Sequence, residues 1–170
     1  MAYDNTCKYL AEKYPGDFAR WLLASDTSDI QVLKTELNLE PIRADSVTFL
    51  QIANQILHLE FQTTPKSKTP LDFRMLDYYT RLKREYWCDI EQVLIFLQPT
   101  SSEIVFNTQY VDKKTRHEYR VIRLWEEDPT PLLANPALLP LATLARTDSP
   151  ADLLTQVATA VDMSKLLPPA

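Results

Sequence analysis

The 170-residue chain contains a single glycine, Gly16. Glycine lets backbone approach a phosphate closely, and phosphate-cradling loops use several of them. A Walker A loop and a dinucleotide-binding fingerprint are therefore excluded by counting, and no nucleotide cofactor of the common kinds is expected. The scarcity of glycine does not come with disorder. Hydrophobic residues make up 45% and charged residues 24% of the chain, which suits one globular domain with a sizeable core. The net charge of −5 points to no partner class by itself.

The two cysteines, Cys7 and Cys88, and the two histidines, His58 and His117, show neither CxxC nor HExxH spacing, which disfavours zinc. The first residues, Met1-Ala2-Tyr3-Asp4-Asn5, lack the basic start and apolar run of a secretory signal. No stretch approaches the ~20 apolar residues of a membrane helix. The expectation is a cytoplasmic protein with reduced, buried thiols and no membrane partner.

Residues 4–24 read as a helix that Pro15-Gly16 divides in two. Residues 30–39 and 44–51 read as strands, and 55–63 as a third, paired to the second through a turn at Ala53-Asn54. Residues 71–87 carry Met75, Leu76, Tyr79, Leu82 and Tyr86 at helical spacing, with Asp72 in the first turn. Residues 92–97, with the apolar run Val93-Leu94-Ile95-Phe96-Leu97 bounded by Pro99, fit a strand buried on both faces. Residues 103–110 and 118–125 are further strand candidates around the charged turn Asp112-Lys113-Lys114. Five prolines then punctuate the leucine-rich segment 129–150, which predicts short helices wrapping the core, and an amphipathic helix over 151–166 closes the chain. This order predicts an α/β (α+β) domain with a mixed central β-sheet flanked by helices and extra C-terminal helices.

The strand at 55–63 carries the chemistry. Side chains alternate along a strand, so Leu57, Leu59 and Phe61 share one face and His58, Glu60 and Gln62 the other. Alternation of this kind ordinarily describes a strand with one face in the core and the other in water. Asp45 opens the preceding strand, and a hairpin brings it towards Glu60. Two convergent carboxylates are the oxygen donors that magnesium prefers. Such an ion acidifies bound water and stabilises charge on a phosphoryl oxygen. Residues 66–84 hold Lys66, Lys68, Arg74, Arg81, Lys83 and Arg84 against Asp72 and Asp77, a local excess of positive charge suited to a phosphate backbone. Residues 113–123 show a similar excess. Each basic run, taken singly, also fits a solvated face.

Asp45, then Glu60-Phe61-Gln62 at the end of the next strand, then a helix opening Leu71-Asp72-Phe73-Arg74-Met75-Leu76-Asp77-Tyr78-Tyr79, resembles the Rpn family. These are recombination-promoting, transposase-like nucleases of the PD-(D/E)XK superfamily, and the similarity is greatest to the cyanobacterial members. Asp4-Asn5-Thr6-Cys7-Lys8 and Trp125-Glu126-Glu127-Asp128-Pro129 also resemble family segments, so the likeness runs over most of the chain. It implies a restriction-endonuclease-like core over residues 1–128. The proline-punctuated helical extension 129–170 would pack on that core as part of one domain. It also implies DNA endonuclease activity that requires Mg2+, with Mn2+ as a substitute. By resemblance, Asp45 and Glu60 bind metal, and Gln62 stands where the superfamily usually has lysine. Asp4, Arg74 and Tyr79 are accessory. Lys66, Lys68, Arg81, Lys83 and Arg84 are candidates for DNA contacts. A glutamine supplies a dipole where lysine supplies a charge, which leaves more electrostatic work to the metal.

A rival expectation keeps the fold without the chemistry: a catalytically weak or inactive module that dimerises or binds a partner through Leu153, Leu154, Val157, Val161 and Leu166. A homodimer is expected under either reading, since paired sites suit the cutting of two strands.

Overall fold

The computed structural model describes residues 2–24, 29–33 and 47–166. Two helices open the chain, α1 (Ala2–Lys13) and α2 (Pro15–Leu23). The break between them follows from Pro15, which lacks an N–H and suits the first position of a helix but not its interior. Strand β1 (Ile30–Leu33) leads to β2 (Val47–Ile52) and β3 (Gln55–Gln62). The turn at Ala53-Asn54 joins β2 and β3 as an antiparallel hairpin running from Ile52↔Gln55 to Val47↔Glu60. With no glycine at this turn, Ala53 itself takes the left-handed conformation at φ 51°.

Helix α3 (Leu71–Tyr86) follows. The Asp72 carboxylate accepts from the Phe73 N–H at 2.8 Å in its first turn, and Lys83 and Arg84 sit in its last, where they oppose the helix dipole. The helix is the crossover that lets β4 (Asp89–Phe96) lie parallel to β3. Strands β5 (Gln109–Val111) and β6 (Arg116–Glu118) form a small separate hairpin, and β7 (Arg120–Arg123) returns to pair parallel with β4. The result is a mixed five-stranded sheet in the order β1-β2-β3-β4-β7, flanked by helices. No helix among the described residues is long and apolar enough to cross a membrane.

One face of the sheet is mainly apolar, with buried Thr48 among its leucines. Leu50, Leu57, Leu59, Phe61, Val93 and Ile95 pack against Phe18, Ala19 and Leu22 of α2 and against Leu132, Leu138, Leu141 and Val157. Those last residues belong to the proline-punctuated segment and its helices α4 (Thr130–Leu133), α5 (Leu139–Ala142) and α6 (Pro150–Leu166). Leu153 and Val157, two of the residues assigned to a partner surface, are turned into the protein, while Leu154 is exposed. The opposite face lies under α3 and holds two apolar clusters. Val47, Phe49 and Ile56 meet Tyr78 and Leu82 on one side; Leu94 and Phe96 meet Leu71 and Met75 on the other.

Three expectations change. Residues 103–110 are not one strand: Glu103–Phe106 is a 3-10 turn in which only Val105 is buried, with Ile104 and Phe106 exposed, and β5 begins at Gln109. Residues 118–125 break at Tyr119, so that β6 and β7 belong to different sheets. The buried stripe of α3 is Leu71, Met75, Tyr78 and Leu82, with Tyr78 rather than Tyr79 pointing inward. The strand expected over 30–39 is described as far as Leu33, and the rest lies outside the described residues.

Candidate functional site

The polar face of β3 is not in water. Its alternation is as expected, but α3 covers it: His58 and Glu60 are 0% exposed and Gln62 9%. The crossover that makes β4 parallel to β3 must pass over one face of the sheet, and it passes over this one. The parallel register sets Gln92, itself buried, beside His58. These four residues form a polar line between the two apolar clusters under α3.

Glu60 is the centre of the line. Its Oε1 accepts from the Gln62 amide Nε2 at 2.9 Å and is closed upon by the Arg74 guanidinium. Its Oε2 is buried and has no hydrogen-bond partner among the described residues. Burial raises the pKa of the carboxyl above its ordinary value, while the charge of Arg74 and the hydrogen bonds from Gln62 and Arg74 act against that rise. Arg74 reaches Glu60 from α3 rather than pairing along its own helix. Arg81 holds Asp77 there, with Nη2 to Oδ2 at 2.9 Å. Arg74 Nη1 donates to Ser67 Oγ at 2.9 Å, which links the buried carboxylate to the exposed loop before α3.

His58 sits between Phe49 and Tyr78, with ring centroids at 5.0 and 4.9 Å. Its Nδ1 faces Gln92 Nε2 at 2.7 Å, and its Nε2 lies 4.0 Å from Glu60 Oε2. Burial, with the charges of Arg74 and His117, lowers its pKa to about 3, so the ring is neutral. Burial also raises the pKa of the Tyr78 hydroxyl, and the neighbouring Glu60 charge adds to the rise. Sequence patterning did not single out Tyr78, Gln92 or His117 for this site. The one available signal was Gln92, a polar residue at the head of an otherwise apolar run.

Of the other candidates, Asp45 lies outside the described residues. Asp4 meets the end of the strand, where Thr63 Oγ1 donates to its Oδ1 at 2.6 Å. Tyr79 faces away from the carboxylate and packs against His117, the rings tilted at 45° with centroids 4.7 Å apart. Lys66, Lys68 and Arg84 are exposed. Lys83 donates to the Cys88 carbonyl at 2.7 Å and closes the end of α3. Glu60, Gln62 and Arg74 thus gather under α3 at the C-terminal end of β3, while Asp4 reaches from α1 only to Thr63, one residue past that end. A separate cleft of ≈ 510 Å³ opens between α2 and residues 134–137 and shares no residue with this group.

Among the described residues no cluster of three or more histidine, cysteine, aspartate or glutamate side chains is placed to hold a metal. Magnesium, however, keeps several waters and takes one or two protein carboxylates, so a single carboxylate oxygen without a partner fits it in kind. No protein-family model, curated protein or solved structure matches the chain.

Proposed function

We propose that this chain is a magnesium-dependent DNA endonuclease with a restriction-endonuclease-like core, of the recombination-promoting nuclease type. The observation that carries the reading is Glu60: a fully buried carboxylate with one oxygen held by Arg74 and Gln62 and the other without a partner among the described residues. A buried carboxylate oxygen without a partner costs stability, and a bound cation would offset that cost. The element order supports the same reading: helices, three antiparallel strands, a crossover helix and a parallel strand, with the polar residues at the strand end.

In this reading Asp45 and Glu60 hold the metal. When bound, magnesium supplies positive charge to a phosphoryl oxygen and acidifies water. Gln62 orients Glu60 by donating to Oε1, and stays close enough to direct a water by its dipole. Arg74 neutralises Glu60 in the free protein, and its partly exposed side chain can turn to a phosphate. Lys66 and Lys68, in the loop that follows β3, draw the DNA backbone towards this end of the sheet, while Arg84 lies in the last turn of α3 at the other end. The active form is a cytoplasmic homodimer.

Plasmid cleavage with Mg2+, Mn2+ or EDTA tests it, run on wild type beside Glu60→Ala and Asp45→Ala. We expect metal-dependent nicking or linearisation that falls to background in both variants, with circular dichroism unchanged. Cleavage equal in wild type and variants, or none at all, rejects the proposal and leaves a non-enzymatic module.

A further inference from the structure

We infer that Gln92 is a positioning residue: it holds His58 as the Nε2–H tautomer, so that His58 serves Glu60 as a neutral N–H donor and not as a metal ligand. The second half of this inference rests on the reading of Glu60 given above.

The Gln92 side chain is 3% exposed and makes three short contacts. Its Nε2 donates to the Met75 carbonyl at 2.9 Å and lies 2.7 Å from His58 Nδ1. Its Oε1 lies 2.6 Å from His117 Nε2. A carbonyl can only accept, so the NH2 end of the amide must face Met75. The same NH2 group faces His58, whose Nδ1 must then be the acceptor. The ring proton of neutral His58 is therefore on Nε2. Turning the amide over would set its oxygen against the Met75 carbonyl at 2.9 Å, two acceptors face to face, and leave that carbonyl without the amide donor. Oε1 correspondingly accepts the Nε2–H of His117.

This assignment explains a pair of buried atoms. His58 Nε2 and Glu60 Oε2 have no hydrogen-bond partner among the described residues, and they lie 4.0 Å apart. With the proton on Nε2 they are a donor and an acceptor, separated by slightly more than a hydrogen bond, and a small closure of the carboxylate brings them together. With the proton on Nδ1 they would be two acceptors in repulsion. The lone pair that a metal would need on Nε2 is not there, and the one on Nδ1 is engaged by Gln92. A cation at Glu60 would therefore be bound by oxygen, which favours magnesium or manganese over zinc. The partner of a functional histidine commonly sets which nitrogen carries the proton.

The test is long-range 1H–15N NMR of the imidazole rings at neutral pH, on the full chain. We expect His58 to show a protonated Nε2 and an unprotonated Nδ1. In Gln92→Glu the carboxylate can only accept, and the proton should move to Nδ1. Should that variant fail to fold, Gln92→Met removes the donor, and the single tautomer should give way to a mixture. A wild-type His58 protonated at Nδ1 overturns the inference, and so does an Nε2–H form that persists unmixed in the variants. Cleavage by Gln92→Glu is expected to fall roughly 10–100-fold in kcat, the range found when groups that orient a metal site are altered, with little change in KM for DNA. Unchanged kcat with a reversed tautomer removes the positioning role. If wild type cleaves nothing, the nuclease reading fails while the NMR result still decides the tautomer.

Discussion

The two faces of β3 are buried alike and built from opposite chemistry. Leu57, Leu59 and Phe61 on one face are each 0% exposed, as are His58 and Glu60 on the other. On the apolar face, burial itself stabilises the fold, by roughly 1.5–3 kcal/mol for each large side chain. On the polar face, burial strips water from a carboxylate and an imidazole, and the ion pair with Arg74 offsets that loss only in part. One face holds the sheet to its helices. The other keeps a carboxylate and an imidazole dry at some expense of stability, and that asymmetry underlies the functional reading.

The contrast can be broken by substitution. On the apolar face, Phe61→Ala removes a ring that packs edge-on against Phe18 at 6.2 Å. It should cost about 3–5 kcal/mol in urea unfolding. On the polar face, Arg74→Leu strands the Glu60 charge. It should cost roughly 2–3 kcal/mol, below the range for a fully buried pair, because the Arg74 side chain is 19% exposed. The double variant Glu60→Leu/Arg74→Leu should then recover wild-type stability or exceed it while remaining unable to cleave. A double variant as unstable as Arg74→Leu would mean that the polar face is structural after all.

Acid sharpens the same comparison. His58 has its pKa lowered to about 3 from an ordinary 6.5, so the unfolded chain binds a proton there that the native protein refuses. Its contribution to stability is complete above pH ~6.5 and is lost as the pH falls towards 3. Glu60, raised by burial, acts in the opposite direction, its contribution fading as the pH rises. Comparing wild type with His58→Phe, where Glu60 is common to both, isolates the histidine. Wild type should lose more stability than the variant between pH 6.5 and 4, and parallel profiles would contradict a neutral, buried ring. The smallest effect belongs to the turn that holds both faces in register. Ala53→Gly relieves a left-handed alanine at φ 51°. It should raise stability by about 0.5–1 kcal/mol in the same unfolding assay.

Much of this fold could be read along the chain. The division of the first helix at Pro15, the hairpin at Ala53-Asn54, the crossover helix and the buried strand after it all follow from local periodicity and turn chemistry. The alternation of β3 was equally legible, and with it the place of Glu60 on the polar face. What alternation could not tell was which medium the polar face meets. The same pattern serves a strand half in water and a strand roofed by a helix, and only the path of α3 across the sheet chose the second.

Most of the elements, the period-2 division of β3 and the exclusion of glycine-loop phosphate chemistry follow from the sequence, because each depends on residues near one another; the short strands after residue 103 do not. Tertiary structure alone decided that Arg74 turns away from Asp77 to Glu60, and that Tyr78 rather than Tyr79 faces inward. It also decided that Gln92 meets a histidine 34 residues earlier in the chain. Those choices depend on helix rotation and on the parallel register of β3 with β4, which are set by the packing of the whole core.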